Sequence, residues 1–184
     1  MNEPATVLTD YGLAAVCVFL GIRLIGKTKF WALAFLALAL AALLGGTWHG
    51  FWQSDLLWKA TTLSVGMASF GMVAGSALQT TEGTVLRVLL AVAAIKWAAY
   101  TGWMLAHDDF IWVVADTASA LLIVGALYLW RFNGWMLVGV AFSILAGGVQ
   151  ASGLRLHEHF NHNDLYHVIQ IAAMLVFYRG LKED

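Results

Sequence analysis

Seven apolar stretches follow one another along the chain, separated by short polar breaks. They run over Val7–Ile25, Phe30–Gly50, Leu56–Leu78, Val85–Ala106, Phe110–Trp130, Gly134–Gly153 and Asp164–Leu181. A helix that crosses a bilayer needs about 20 mostly apolar residues. The pattern therefore predicts an all-α, polytopic bundle of about seven transmembrane helices, forming one domain over residues 1–184. The breaks at Gly26–Lys29, Gln79–Gly83, His107–Asp109 and Arg131–Gly134 are rich in glycine or charge, as turns between antiparallel helices are. The only proline is Pro4, and no Pro/Ser-rich linker divides the chain.

Within these stretches polar residues recur at helical spacing. The third carries Asp55, Lys59, Thr62, Gly66 and Ser69; the fourth Lys96, Tyr100, Trp103 and His107; the fifth Asp109, Trp112, Asp116 and Ser119; the sixth Ser143, Gly147 and Gln150. Residues three and four apart share a helix face, so each set forms a line running inward from one end. The second helix offers His49 above the small residues Gly46, Gly45, Ala42 and Ala41, while its other half and most of the first helix are apolar. A polar chamber at one end of the bundle, over a sealed opposite half, is the expected result.

Composition and charge agree with a lipid environment. Hydrophobic residues make up 61% and charged residues 11% of the chain, against about 25% charged in soluble domains. A net charge of −1 excludes an electrostatic case for nucleic acid, and a single cysteine, Cys17, excludes a disulfide framework. The start of the chain is acidic and lacks the basic region of a secretory signal, so the first stretch is expected to remain as a span. Arg23, Lys27, Lys29, Arg87, Arg131, Arg179 and Lys182, seven of the ten basic residues, fall on one side of an alternating chain. By the positive-inside rule that side is cytoplasmic. The N-terminus is then outside and the C-terminus inside, with a bacterial cytoplasmic membrane as the expected location. All six histidines fall on the extracytoplasmic side.

Candidate chemistry concentrates in Leu156–Gln170, LHEHFNHNDLYHVIQ, which holds His157, His159, His162 and His167. Asn163, His167 and Gln170 form one polar line that must face protein, since imidazole and amide groups turned to lipid go unpaired. The loop histidines His157 and His159 are expected to be solvated, and Lys59 and Trp58 to be snorkelling and belt residues. Lys96 and Asp116 lie well inside their helices, where a charge is paired or functional. Mutual pairing is the plain account, with a role in chemistry as the alternative.

The second-helix motif GGTWHG and the seventh-helix motif NDLYHVIQ, on seven helices with the N-terminus outside, resemble those of the alkaline ceramidase and adiponectin-receptor superfamily. The resemblance implies a zinc ion inside the bundle and hydrolysis of a lipid amide, with His49 as the second-helix ligand and His167 as the second histidine of the seventh-helix pair. Three features depart from the family pattern, one being its third-helix acidic residue, which has no clear match because Asp55 lies at the helix mouth and Asp116 is on the fifth helix. Asn163 stands where the first histidine of that pair belongs, with His162 one residue earlier, and Gly45 stands in place of a serine.

The chemistry also follows from the residues themselves. Catalytic zinc keeps three protein ligands and an open position for water. His49, His167 and His162 can supply the nitrogens, with Asp164, Asp116 or Asn163 as alternatives to His162. Asp164 or Asp116 can orient a ligand imidazole or act as general base, and Lys96 or Tyr100 can stabilise an oxyanion. The expectation is a zinc-dependent hydrolase of an amide or ester in a membrane lipid. The rivals are a haem b or copper protein using the same histidines, and an accessory subunit of a homo-oligomer or membrane complex. A retinal protein is disfavoured, because the apolar run of the seventh helix contains no lysine.

Overall fold

The computed structural model describes residues 3–157 and 160–183. These form seven helices: α1 (Pro4–Leu24), α2 (Lys29–Gly50), α3 (Asp55–Thr80), α4 (Gly83–Ala106), α5 (Phe110–Arg131), α6 (Gly134–Ser152) and α7 (His162–Glu183). Their boundaries fall within three residues of the apolar runs. The first six are long and apolar enough to cross a membrane. Helix α7 is as long as α2, at 22 residues, but carries His162, Asn163, Asp164, His167 and Gln170 in its first half.

Local chemistry fixes the ends. Pro4 opens α1 at a position where its missing N–H costs nothing. Ser54 and Asn133 cap α3 and α6, accepting from the backbone N–H of Leu57 (3.3 Å) and Met136 (3.1 Å). Helix α6 ends at Gly153, whose φ of 65° lies in the left-handed region that favours glycine. Helix α7 opens on a reciprocal cap. Asn161 Oδ1 accepts from Asn163 N–H at 2.8 Å, and Asp164 Oδ2 accepts from Asn161 N–H at 2.7 Å.

Packing arranges α1, α2, α3, α5, α6 and α7 as a ring, closed by contact between α7 and α1. Helix α4 packs on α3 outside that ring and barely touches α5. Small residues bring the ring helices together. Gly71 lies against the Ala34 backbone, Gly75 against the Trp31 indole, and Gly46 against the side chains of Asp10 and Tyr11. At none of the three is there room for a methyl group. Trp31, fully buried, packs on Phe35 and Phe177 at the end of the ring opposite the histidines.

Lys59 differs from its expected snorkelling role. Its ammonium donates to the carbonyls of Met104 and His107, both at 2.8 Å, and pairs with Asp108. It therefore caps the C-terminus of α4, where unpaired carbonyls attract a cation.

Candidate functional site

The first two turns of α1 carry a polar face, which departs from the apolar helix expected. Thr6 and Asp10 are buried, and with Leu13, Cys17, Leu20 and Leu24 they form the inward stripe of α1. Asp10 meets α7 at His167, with Oδ1 3.1 Å from Nε2. The other ring nitrogen, Nδ1, lies 3.1 Å from Thr9 Oγ1. Thr6 Oγ1 donates to Asp164 Oδ1 at 2.8 Å. Toward α2, Glu3 Oε2 lies 2.9 Å from His49 Nδ1, and the Tyr11 and Thr47 hydroxyls are 3.0 Å apart. Helix α1 thus touches both histidine-bearing helices, and Gly45 and Gly46 admit the Asp10 side chain against α2.

Asp10, His49 and His167 line one cavity of about 670 Å³ at the centre of the ring, within the range of small-molecule sites. Asn163, Gln150, Gln170, Ser143 and Tyr166 line the same end. Gln150 Nε2 donates to Asn163 Oδ1 at 2.7 Å, and Gln170 Nε2 approaches Ser143 Oγ at 3.4 Å. Trp48, Trp58 and Phe110 form an aromatic wall there, with successive ring centroids 5.1 and 5.9 Å apart. Away from this end the lining is mostly apolar, including Leu38, Phe35, Met72, Leu121 and Met174, with Ser69 and Thr117 among them. The expected polar chamber is therefore a polar head on an apolar channel. That channel extends along α2 as far as Trp31, 18 residues from His49, or about 27 Å at 1.5 Å per residue.

The candidate residues separate into three groups. His49 and His167 share the cavity, and Asn163, His167 and Gln170 line it together, as their spacing requires. His162 starts α7 but does not line the cavity; Asn163 stands on that side instead. Asp164 spends its two oxygens on Thr6 and the Asn161 backbone, which makes it a helix cap and a tie to α1.

Lys96, Tyr100 and Asp116 lie elsewhere, in a groove of about 420 Å³ between α4 and α5. Lys96 Nζ pairs with Asp116 Oδ1 at 2.5 Å, and the Tyr100 hydroxyl donates to Thr62 O at 2.9 Å. None of the three lines the histidine cavity, because Lys96 and Tyr100 belong to α4, outside the ring, and Asp116 is turned toward Lys96. His107 stacks on Trp103 with centroids 3.8 Å apart. His157 is exposed, and Glu158 and His159 lie outside the described residues.

Asp10 was not singled out from sequence, where it counted only toward the acidic side of the chain. Its signal was nonetheless present: a carboxylate one turn into an apolar run, on the same i, i+3, i+4 stripe as Leu13 and Cys17.

Two imidazoles and a carboxylate are a donor set that catalytic zinc uses. Asp10 Oδ2 is buried without a hydrogen-bond partner, as a donor atom awaiting a cation would be. Yet among the described residues no three His, Cys, Asp or Glu side chains converge as a metal-holding group. His167 Nε2 is turned to Asp10, and His49 Nδ1 to Glu3. The residues therefore fit zinc by donor chemistry, while in this arrangement they are paired with one another.

No curated protein and no solved structure matches the chain. One family pattern does match, over residues 5–184, nearly its whole length, and the chain belongs to that family of unknown function (DUF6962).

Proposed function

We propose that this protein is an integral-membrane hydrolase that draws a long-chain lipid amide or ester into the ring of helices and cleaves it at the Asp10–His49–His167 end. The N-terminus and the histidine end face the extracytoplasmic side in this reading, supported by the basic residues gathered at the other end. The observation that carries the proposal concerns unpartnered polar atoms. Buried polar atoms are almost always hydrogen-bonded, and although Thr101 and Asp116 carry exceptions elsewhere, several share one cavity. Asp10 Oδ2, Ser69 Oγ, Gln150 Oε1 and Trp31 Nε1 lack hydrogen-bond partners, and all four residues line the one cavity. Such a cavity suits a ligand with a polar head and a long apolar tail.

Zinc, where bound, supplies a Lewis acid and a water acidic enough to attack a carbonyl near neutral pH. His49, His167 and Asp10 are the donors proposed for it, with Asp10 in the position first considered for His162. The chain's own groups have further work. Where no metal is bound, Asp10 Oδ1 and His167 Nε2 hold one proton between them, so the pair keeps both donors side by side and can act as an acid–base couple. Thr9 fixes the far side of the His167 ring. Gln150 Oε1 is an acceptor for a ligand N–H or O–H, while the Gln150–Asn163 bond holds that amide in place.

The test uses purified protein in detergent, its metal content, its visible absorption, and a panel of long-chain amides and esters. Wild type is expected to release fatty acid from at least one of them and to carry about one zinc per chain. Asp10→Asn, His49→Ala and His167→Ala are each expected to lower turnover by 100-fold or more, the scale of losing a general acid–base group (about 10²–10⁴). His157→Ala and His162→Ala are expected to leave turnover within about twofold, since neither lines the cavity. Absence of hydrolysis across the panel overturns the enzymatic reading, and a haem absorption band replaces it with cofactor binding.

A further inference from the structure

The central cavity is not enclosed equally on all sides. Among the described residues that line it, four are exposed: Phe110 and Ala118 on α5, and Ile144 and Gly148 on α6. All four border one seam of the ring. Ala118 shares the outward stripe of α5 with Ile111 and Leu122, and Gly148 shares that of α6 with Ala141 and Leu145. A residue that belongs both to the outer surface and to the cavity wall stands at an opening between them. Ile144, with 52% of its surface exposed, is the bulkiest residue at the middle of that seam.

The packing of α5 on α6 agrees, for theirs is the thinnest contact between neighbours in the ring. A methyl group added at Gly147 or Gly148 would meet no atom within 4 Å, whereas one added at Gly125 would touch Val140. The two helices therefore meet farther from the histidines and part beside the cavity. Ala118 and Ile144 each lie eight residues from the histidine-side end of their helix, about 12 Å at 1.5 Å per residue. A bilayer core is about 30 Å thick, so at this level the gap opens onto lipid chains.

We infer that the gap between α5 and α6 is a side entrance through which a membrane lipid passes into the cavity. The inference rests on the proposed lipid site and gives that site its route. Ala118, Ile144, Gly147 and Gly148 present no charged or hydrogen-bonding side chain, so an acyl tail crosses among apolar groups from the membrane to Leu38, Met72 and Leu121. A tail on that path is never drawn through water, which would cost free energy for every methylene exposed. Gly147 and Gly148 leave space toward the histidine end, where the polar head goes in.

The test measures binding kinetics on purified full-length protein in lipid bilayer discs. The probe is N-hexadecylurea, which has a long tail and a polar head but no acyl bond to cleave, and binding is read by tryptophan fluorescence. Ala118→Phe and Gly148→Phe each place a ring in the gap. Each is expected to slow association and dissociation together, by about 10-fold or more, as an obstructed approach does, leaving affinity within threefold. Ala141→Phe adds the same ring at an exposed position of α6 that does not line the cavity, and its rates should stay within twofold of wild type. Unchanged rates in both gap variants overturn the entrance while leaving the lipid cavity standing. Faster dissociation with unchanged association shows that the rings crowd the bound lipid instead, and also overturns it. Equal slowing by Ala141→Phe does the same, since the effect is then not particular to the gap. Failure of wild type to bind the probe overturns the entrance and the lipid cavity together.

Discussion

Asp116 is held by Lys96 at 2.5 Å in the groove where α4 leans on α5, with only 5% of its side chain exposed. Helices α4 and α5 otherwise meet little, so this pair and the Trp103–Trp112 edge contact, with centroids 5.1 Å apart, tie them together. Removing one member of a buried pair leaves an uncompensated charge, which costs about 3–5 kcal/mol in soluble proteins. Lys96→Met and Asp116→Asn are each expected to destabilise the protein by that order in detergent unfolding, and the double variant by less than the sum. Strictly additive losses would show that the two side chains act independently. Neither residue lines the histidine cavity, so turnover per folded molecule should change little. The pairing was legible in sequence, because two charges deep in apolar helices have few other fates. The grouping of Lys96, Tyr100 and Asp116 with the histidines was not, because a one-dimensional stripe does not say which neighbouring helix it faces. Asp10 shows the complementary failure: its partner lies 157 positions away, and no local pattern announces that pairing.

At the scale of elements, the apolar runs marked all seven helices, since length and hydropathy alone decide where a chain can cross a bilayer. What they left open was the entry into α7, where polar residues outnumber apolar ones. His162, Asn163 and Asp164 read there as a metal-binding mouth, but two of the three serve other ends. Asn163 faces the cavity, and Asp164 closes the reciprocal cap with Asn161 while binding Thr6 of α1. Asp164→Ala removes one buried and one partly buried hydrogen bond to a carboxylate, so a loss of about 2–4 kcal/mol is expected, at about 1.5–3 kcal/mol for the first and less for the second. Asp10→Asn, by contrast, keeps the shape of the side chain and removes its basicity. Unfolding curves and turnover together separate the two carboxylates: Asp164→Ala should lower stability while sparing activity per folded molecule, and Asp10→Asn should do the reverse. Loss of activity in folded Asp164→Ala would move that residue back into the chemistry.

For the whole molecule, the side of the membrane on which the site opens decides which leaflet would feed the proposed lipid site. The helices alternate through short connections, so one end of the ring gathers Glu3, His49, Gln53, Asp108 and the start of α7, and the other gathers Arg23, Lys27, Lys29, Arg131, Arg179 and Lys182. Basic residues next to spans stay on the cytoplasmic side during insertion, so the proposed orientation has the histidine end outside. Cys17 is fully buried and gives little background to a thiol reagent. Single cysteines at the exposed positions Gln53 and Asp108 should react with a membrane-impermeant maleimide added to intact cells. Cysteines at Lys27 and Arg131, equally exposed in the bundle, should react only after the membrane is opened. Labelling of the second pair from outside, with protection of the first, would invert the molecule. The cavity would then open at the cytoplasmic face, and its lipid would come from the inner leaflet.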